Sequence, residues 1–174
     1  IALMVGRELT GSRMRGHAAG GECLLSARGL SREGAYRDVR LELRRGEILG
    51  LAGLMGAGRS EVAEALFGLA PAASGEIRVR GRAARIRHPA EAMRLGIGMV
   101  TEDRRAHGFV PLLSVRHNIT LASLKRCCRG PVIRHPAEAE ASARAIARTG
   151  IRTRRDGQFV AQLSGGNQQK VGFA

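Results

Sequence analysis

The residues with the clearest chemical potential form a glycine-rich stretch, residues 46–60 (GEILGLAGLMGAGRS). Residues 53–60 match the spacing G-x-x-x-x-G-K-[ST] of a phosphate-binding loop at every defined position except one, where Arg59 replaces lysine. Glycines allow the backbone to come close enough for several N–H groups to reach polyphosphate oxygens. The hydroxyl of Ser60 could bind the magnesium ion that accompanies a nucleotide. The spacing predicts a nucleotide-binding loop; a strand-to-helix turn that is merely rich in glycine is the alternative.

Two further segments have residue types that suit ligand binding. In residues 163–170 (LSGGNQQK), Ser-Gly-Gly precedes helix-forming residues, which predicts a helix that begins with uncovered amides and a hydroxyl, and hence a second anion site. The charged residues 101–108 (TEDRRAHG) directly follow an apolar run. They predict a loop at the carboxyl end of a strand, where α/β proteins bind ligands; a solvated turn is the alternative.

The pattern of apolar residues predicts the strands that must position these loops. Alternating apolar and polar residues predict two half-buried antiparallel strands, residues 23–30 and 36–43, and an edge strand at residues 76–81. Short continuous apolar runs at residues 48–52 and 96–100 predict strands buried on both faces. The first of these would lead directly into the glycine-rich loop.

Helices are predicted from apolar residues at helical spacing. One begins near Ser60, a second covers residues 113–124, and a third, rich in alanine, covers residues 137–149 and ends at Gly150. Proline followed by glutamate favours a helix start. This pattern occurs in a heptapeptide, IRHPAEA, present at residues 86–92 and 133–139.

Composition limits the classes of partner and compartment. The chain has 29 Lys and Arg against 15 Asp and Glu, a formal charge of +14. Because the basic residues are mostly arginine, scattered and without interleaved aromatics, we expect no nucleic-acid partner; acidic lipid headgroups or an acidic protein surface remain open. Three cysteines without metal-ligand spacing favour a reducing compartment and no disulfide. No run reaches the length of a membrane span, and a start at Ile suggests an excised or incomplete chain.

The three motifs, in this order, resemble an ATP-binding cassette (ABC) domain. They are most similar to the second cassette of the duplicated ATPase subunit of bacterial monosaccharide importers of the ribose, xylose and galactose type. The resemblance extends from Met4 to the last residue. It implies an α/β fold, namely a phosphate-loop NTPase core with an antiparallel β subdomain and a helical subdomain, incomplete at its C-terminus.

The resemblance also implies a division of the chain. Residues 1–9 would be the tail of a preceding cassette and residues 10–22 a linker. Residues 23–174 would be a partial cassette, with the core and antiparallel part at 23–112 and the helical subdomain at 113–174.

Site residues and partners follow from the same resemblance. The implied nucleotide-binding residues are Gly53, Leu54, Met55, Gly56, Ala57, Gly58, Arg59, Ser60 and Glu102, with ATP and Mg²⁺ as cofactors and Ser60 as the magnesium ligand. The implied signature residues, which contact the ATP of a partner cassette, are Leu163, Ser164, Gly165, Gly166 and Gln168. The implied partners are the first cassette of the same or a second chain, membrane permease subunits and, indirectly, a periplasmic sugar-binding protein. The implied location is the cytoplasmic face of the bacterial inner membrane.

Departures from the family pattern shape the expected activity. Arg59 replaces a compact lysine with a larger planar group, and Glu102 stands where most cassettes have glutamine. We expect no catalytic residue within these 174 residues, because the family's Walker B aspartate, catalytic glutamate and switch histidine follow the signature. We therefore expect a sugar-import ATPase in the full-length protein and little activity from this chain alone. The alternatives are an inactive or regulatory cassette and a non-transport ABC ATPase.

Overall fold

The computed structural model of the chain describes residues 21–103 and 107–174. The chain divides into two compact units, Ile1–Met99 and Val100–Ala174. The predicted tail at residues 1–9 and most of the predicted linker, residues 10–20, lie outside the described residues. So do Arg104 and Arg105 of the charged cluster.

A four-stranded antiparallel sheet forms the framework of the first unit. Its strands are β1 (Cys23–Arg32), β2 (Tyr36–Arg44), β3 (Ser74–Val79) and β4 (Arg82–Ala84), in the order β2-β1-β3-β4. The predicted antiparallel pair at residues 23–30 and 36–43 is thus confirmed. The prediction of an edge position for residues 76–81 is wrong, because a two-residue turn folds β4 back onto the outer side of β3.

A bulge in β1 allows the sheet to bury residues that simple alternation would place on opposite faces. Ala27 and Leu30 are both only 1% exposed, although residues three positions apart on a regular strand point to opposite faces. The pairing with β2 shifts register between these two residues, and Gly29 adopts a left-handed φ of 64° within the shift. The bulge brings both side chains into one apolar core together with Ile77, Ile86 and Ala92.

Helices α1 (Arg59–Phe67) and α2 (Pro89–Arg94) complete the first unit. The predicted helix near Ser60 is confirmed, and it ends at Gly68, whose φ of 79° closes the last turn. Helix α2 begins inside the first copy of the heptapeptide, as predicted. Its Glu91 carboxylate accepts the backbone N–H groups of Arg87 (2.7 Å) and His88 (3.3 Å), which fixes the start of the helix.

The two predicted buried strands are wrong. Residues 48–52 and 96–100 form no strand in the described part of the chain, and Ile48 and Val100 are 79% and 53% exposed. A strand exists only where a neighbouring strand accepts and donates its backbone hydrogen bonds. Within the described ranges neither run has such a neighbour, so an apolar sequence alone does not make these segments strands.

The second unit is mainly helical. It contains α3 (Val115–Leu121), a short hairpin of β5 (Cys128–Arg129) and β6 (Val132–Ile133), α4 (His135–Thr149) and α5 (Gly165–Phe173). Short 3-10 helices cover Leu124–Cys127 and Val160–Gln162. These elements surround a core whose buried members are Val115, Ile151, Val160, Leu163 and Val171.

The predicted helices of this unit are confirmed with adjusted ends. Helix α3 is shorter than predicted because the Ser114 hydroxyl accepts the His117 N–H (3.1 Å) and sets its start. Helix α4 begins in the second heptapeptide copy and ends at Gly150, whose φ is 61°. The cysteines Cys23, Cys127 and Cys128 are free. No helix within the described ranges is both long and apolar enough to cross a bilayer.

Candidate functional site

The glycine-rich loop connects β2 to α1 and ends directly at a helix N-terminus. Gly58 is the N-cap of α1, and the first intrahelical hydrogen bond runs from the Val62 N–H to the Gly58 carbonyl (2.9 Å). Arg59 and Ser60 are the first two helical residues. The loop therefore delivers its backbone to the positive end of the helix dipole, which is the arrangement that binds phosphate.

Gly58 holds the loop against the β1–β2 turn. Its φ is 80°, and an added Cβ would lie 2.4 Å from the Ala35 carbonyl oxygen and 3.2 Å from the Tyr36 Cβ. Real Cβ atoms do not approach an oxygen this closely, so no larger residue fits without movement of the turn. The start of α1 is thus fixed by contact with the neighbouring hairpin.

Gly53 and Gly56 have different roles in the same loop. An added Cβ on Gly53 would lie 2.9 Å from the Ala57 Cβ and 3.6 Å from the Arg59 Cδ, which shows that the stem of Arg59 folds back over the start of the loop. Gly56 also has a φ of 80°, but no atom lies within 4 Å of its added Cβ. The side chains between them are open to solvent, since Leu54 and Met55 are 86% and 97% exposed.

Sequence reasoning missed Glu47, which fixes the entry to the loop. Its carboxylate accepts the Arg44 N–H (2.7 Å), and its own N–H donates to the Arg44 carbonyl (3.1 Å). This reciprocal pair closes the turn after β2. A glutamate immediately after Arg45-Gly46 was the available signal.

The Tyr36 ring is not free to stack on a ligand bound at this loop. The ring packs against the first apolar core, and its hydroxyl is buried without a hydrogen-bond partner among the described residues. Burial raises the pKa of this phenol above its usual value. Tyr36 therefore serves the core of the first unit.

The second predicted anion site is the N-terminus of α5. Ser164 is its N-cap with an extended backbone, and Ser164, Gly165 and Gly166 are exposed. The first intrahelical hydrogen bond runs from the Gln168 N–H to the Ser164 carbonyl (2.9 Å). The Ser164 hydroxyl does not cap this helix; it accepts the Asn167 side-chain amide instead (3.0 Å). The amides of the first turn thus have no side-chain cap and lie in an exposed segment.

Several side chains hold this second site in place. Leu163 anchors it in the core, and the Gln168 side-chain amide donates to the Val160 carbonyl (3.3 Å). Asn167 accepts the Arg152 N–H (2.9 Å), and Lys170 donates to the Gly150 carbonyl (2.7 Å). Sequence reasoning assigned no role to Asn167 or Lys170, and their position on α5 within the motif was the only signal for them.

An ion pair fixes the segment that leads to α5. Arg116 on α3 donates two hydrogen bonds to Asp156, at 2.7 and 2.8 Å, and the two side chains are 30% and 25% exposed. Backbone hydrogen bonds from Val115 to Gln158 (2.9 Å) and from Arg116 to Asp156 (2.9 Å) support it. The Arg116 guanidinium lowers the pKa of the Asp156 carboxyl.

Glu102 lies at the start of the second unit, on the exposed loop that follows the apolar run. The Thr101 hydroxyl donates to the Asp103 carbonyl (3.3 Å), which also accepts the His107 N–H (3.0 Å). Across the described residues, no group of three or more His, Cys, Asp or Glu side chains could hold a metal ion by itself.

Comparisons with known proteins all point to one family. The family model described as "ABC transporter" matches residues 36–174. The chain is 50% identical over 172 residues to the ribose import ATP-binding protein RbsA 1 of Rubrobacter xylanophilus, covering 98% of the chain and 34% of that protein. It is 49% identical over 176 residues to a putative ribose/galactose/methyl galactoside import ATP-binding protein of Burkholderia cenocepacia, again covering 34% of the relative. The chain thus spans about a third of the length of these relatives.

A solved structure shows the same fold at low sequence identity. The chain superposes on cbiO1 from Clostridium perfringens, part of the ABC transporter complex cbiONQ, with a TM-score of 0.66 and 20% identity. The match covers 87% of this chain and 60% of that one. The α/β fold class predicted from the sequence is confirmed.

The contact of Gly58 with the β1–β2 turn can be tested by substitution. Gly58→Ala should lower the free energy of unfolding by more than about 2 kcal/mol, since it adds both a left-handed Cβ and a clash with the Ala35 oxygen. Gly56→Ala is the matched control with the same φ and no neighbour, and it should cost about 1 kcal/mol. Urea unfolding measures both. Equal losses would contradict the proposed contact.

The Arg116–Asp156 pair predicts a pH-dependent stability. Because the folded-state pKa of Asp156 is lowered, the pair stabilises at neutral pH, and this contribution is lost as the pH falls below about 4 towards the folded-state pKa. Asp156→Asn should cost about 1 kcal/mol at pH 7 and progressively less in acid. Urea titrations at pH 7 and pH 3 measure the difference. Glu140→Gln, which removes the exposed pair with Arg144, is the control and should cost less than about 0.5 kcal/mol at either pH.

Proposed function

Because the chain belongs to the ABC transporter family, we propose that it is an ATP-binding, energy-coupling part of a monosaccharide importer. The observation that carries the proposal is the presence of two separate helix N-termini, at α1 and α5, neither of which has a side-chain cap. Support for a sugar as the transported class comes from its 42–50% identity to ribose and galactose import ATP-binding proteins. Which sugar is carried depends on other subunits.

In this proposal the loop at residues 53–60 is a degenerate nucleotide site. Its backbone wraps the phosphates of ATP, and Ser60 binds Mg²⁺. Arg59 retains a positive charge, but its planar head does not reproduce the point contact of lysine. Glu61 lies in the first turn of α1, where its negative charge opposes a bound phosphate. The family resemblance adds a further departure, since Glu102 stands where most cassettes have a glutamine that contacts magnesium. This site holds nucleotide weakly or without turnover.

The signature at residues 163–168 is the more competent anion site. No acidic residue lies in the first turn of α5, and the flexible Gly165 and Gly166 leave the amides accessible. We assign these amides and the Ser164 hydroxyl to the γ-phosphate of ATP bound by a partner cassette. That cassette is the first one of the same chain or one of a second chain. When bound there, ATP supplies the phosphoryl group whose transfer to water drives the transport cycle.

The proposed setting is the cytoplasmic face of the bacterial inner membrane. The helical residues 113–174 would relay the nucleotide state to membrane permease subunits, and a periplasmic sugar-binding protein would act through them. Residues 1–9 would end a preceding cassette and residues 10–22 would connect it to this one. A non-transport ABC ATPase is the second candidate, favoured by the formal charge of +14. Salt-dependent binding to DNA or ribosomes would support that candidate.

The unequal sites predict unequal effects of substitution in the intact transporter. Ser164→Asp should lower ATPase turnover at least about tenfold, because aspartate remains a good N-cap but places a charge against the phosphate. Arg59→Gln should lower turnover less than about threefold, because its site contributes little hydrolysis. Steady-state ATPase assays on the reconstituted transporter measure both.

Ser164→Thr is the matched control, since threonine keeps the hydroxyl and also suits an N-cap position without the charge. It should retain most of the turnover, and thermal unfolding of all variants should be similar. A larger loss with Arg59→Gln than with Ser164→Asp would overturn the assignment of the two sites.

A further inference from the structure

The first unit contains a basic cleft that the proposed function does not use. It has a volume of about 720 Å³ and lies between the β3–β4 hairpin and the end of α2. Its lining includes four arginines: Arg80, Arg82, Arg85 and Arg94. The volume is within the range of small-molecule binding sites.

Three of the four guanidiniums of this cleft lack acidic partners among the described residues, unlike other arginines on the same sheet. Within the described residues, the side chains of Arg80, Arg82 and Arg85 make no ion pair and no hydrogen bond. The sheet arginines that are paired with a carboxylate are Arg28 (3.7 Å), Arg40 (3.1 Å), Arg44 (3.4 Å) and Arg78 (2.9 Å). An excess of unpaired positive charge in one concave place favours an anionic ligand.

The two carboxylates at the cleft are already engaged. Glu91 accepts the backbone N–H groups at the start of α2, and Glu22 lies 3.3 Å from Arg45. The Arg94 Nε donates to the Ala90 carbonyl (3.2 Å), which leaves the rest of its guanidinium for a ligand. The cleft therefore has four guanidinium groups against two carboxylates, which leaves an excess of positive charge.

The turn that contains Arg80 has a strained backbone, which asparagine or glycine at this position would relieve. Arg80 and Gly81 form the two-residue turn between the paired residues Val79 and Arg82, with φ values of 49° and 75°. Asparagine or glycine is the favoured first residue of such a turn, and arginine is unfavourable there. Strained backbone of this kind concentrates at functional sites. The strain places a guanidinium at the cleft.

We propose that this cleft binds the phosphate groups of a small polyanion. Guanidinium groups bind phosphate oxygens in pairs through parallel N–H donors, and four of them suit a ligand with at least two phosphate charges. Val79 and Leu95 supply apolar surface for the remainder of the ligand. The site is separate from residues 53–60 and from the signature, and it does not depend on either. The phosphate could belong to a soluble metabolite or to a lipid headgroup.

Pyrophosphate is a suitable probe for the first source. In amide NMR spectra of the isotope-labelled chain, pyrophosphate should shift the signals of residues 80–85 and 94–95 with saturation below about 1 mM. The double variant Arg82→Gln/Arg85→Gln should weaken this response at least about tenfold. Arg37→Gln/Arg148→Gln removes the same charge from exposed residues that do not line the cleft and should leave the response unchanged.

Arg80→Asn separates binding from folding. Asparagine suits the left-handed turn, so the variant should unfold at a higher temperature than the wild type while binding pyrophosphate several-fold more weakly. Both changes together support a functional reason for Arg80. Unchanged binding would overturn its assignment to the site.

Vesicles test the second source. If lipid is the ligand, the chain should sediment with phosphatidylglycerol vesicles and not with phosphatidylcholine vesicles, and Arg82→Gln/Arg85→Gln should lose this binding. Either a site-specific pyrophosphate response or such vesicle binding supports the proposal and identifies the source. It is overturned if pyrophosphate shifts only residues 53–61 or 164–168 and vesicle binding is absent or equal in the two charge-matched variants.

Discussion

The contact between Gly58 and the Ala35 carbonyl is the constraint on which the glycine-rich loop depends. Residues 48–57 have no strand partner within the described ranges and are largely exposed, so the chain between β2 and α1 has few other contacts to hold it. Glu47 fixes one end through Arg44, and Gly58 fixes the other against the turn between β1 and β2. The start of α1 is positioned by the antiparallel sheet, which links the sheet to the proposed phosphate site.

The second unit positions its anion site by side chains rather than by a glycine contact. The Arg116–Asp156 pair fixes the segment that leads to α5, and Leu163 anchors the motif in the core. The Asn167 side-chain amide donates to the Ser164 hydroxyl oxygen. The Ser164 oxygen accepts this side-chain amide and caps no backbone N–H, so no side-chain cap covers the first-turn amides. The residues that follow Ser-Gly-Gly thus have a physical role in keeping the site open to an anion.

Sequence reasoning succeeded where the signal is local. The β1–β2 pair, the helix starts at both heptapeptides and the Gly150 cap each depend on residues close in sequence. It failed at residues 48–52 and 96–100, because a buried strand requires a partner that no local pattern identifies. It also missed Glu47 and Asn167, because their side chains accept backbone N–H groups that come within reach only in the folded chain. The roles of the individual site residues still rest on the family resemblance.

The electrostatics of the two helix N-termini give an independent reason for their different roles. Helix α1 begins with Arg59 followed by Glu61, so a positive and a negative side chain oppose each other within one turn. Helix α5 has no charged residue before Lys170, and its dipole and amides act on an anion without local competition. A bare helix N-terminus relies on backbone groups that are fixed before the anion arrives, whereas the arginine at α1 must be ordered during binding. A preorganised site is the better candidate for transition-state charge, which is the physical reason for proposing the more demanding chemistry at residues 163–168 rather than at residues 53–60.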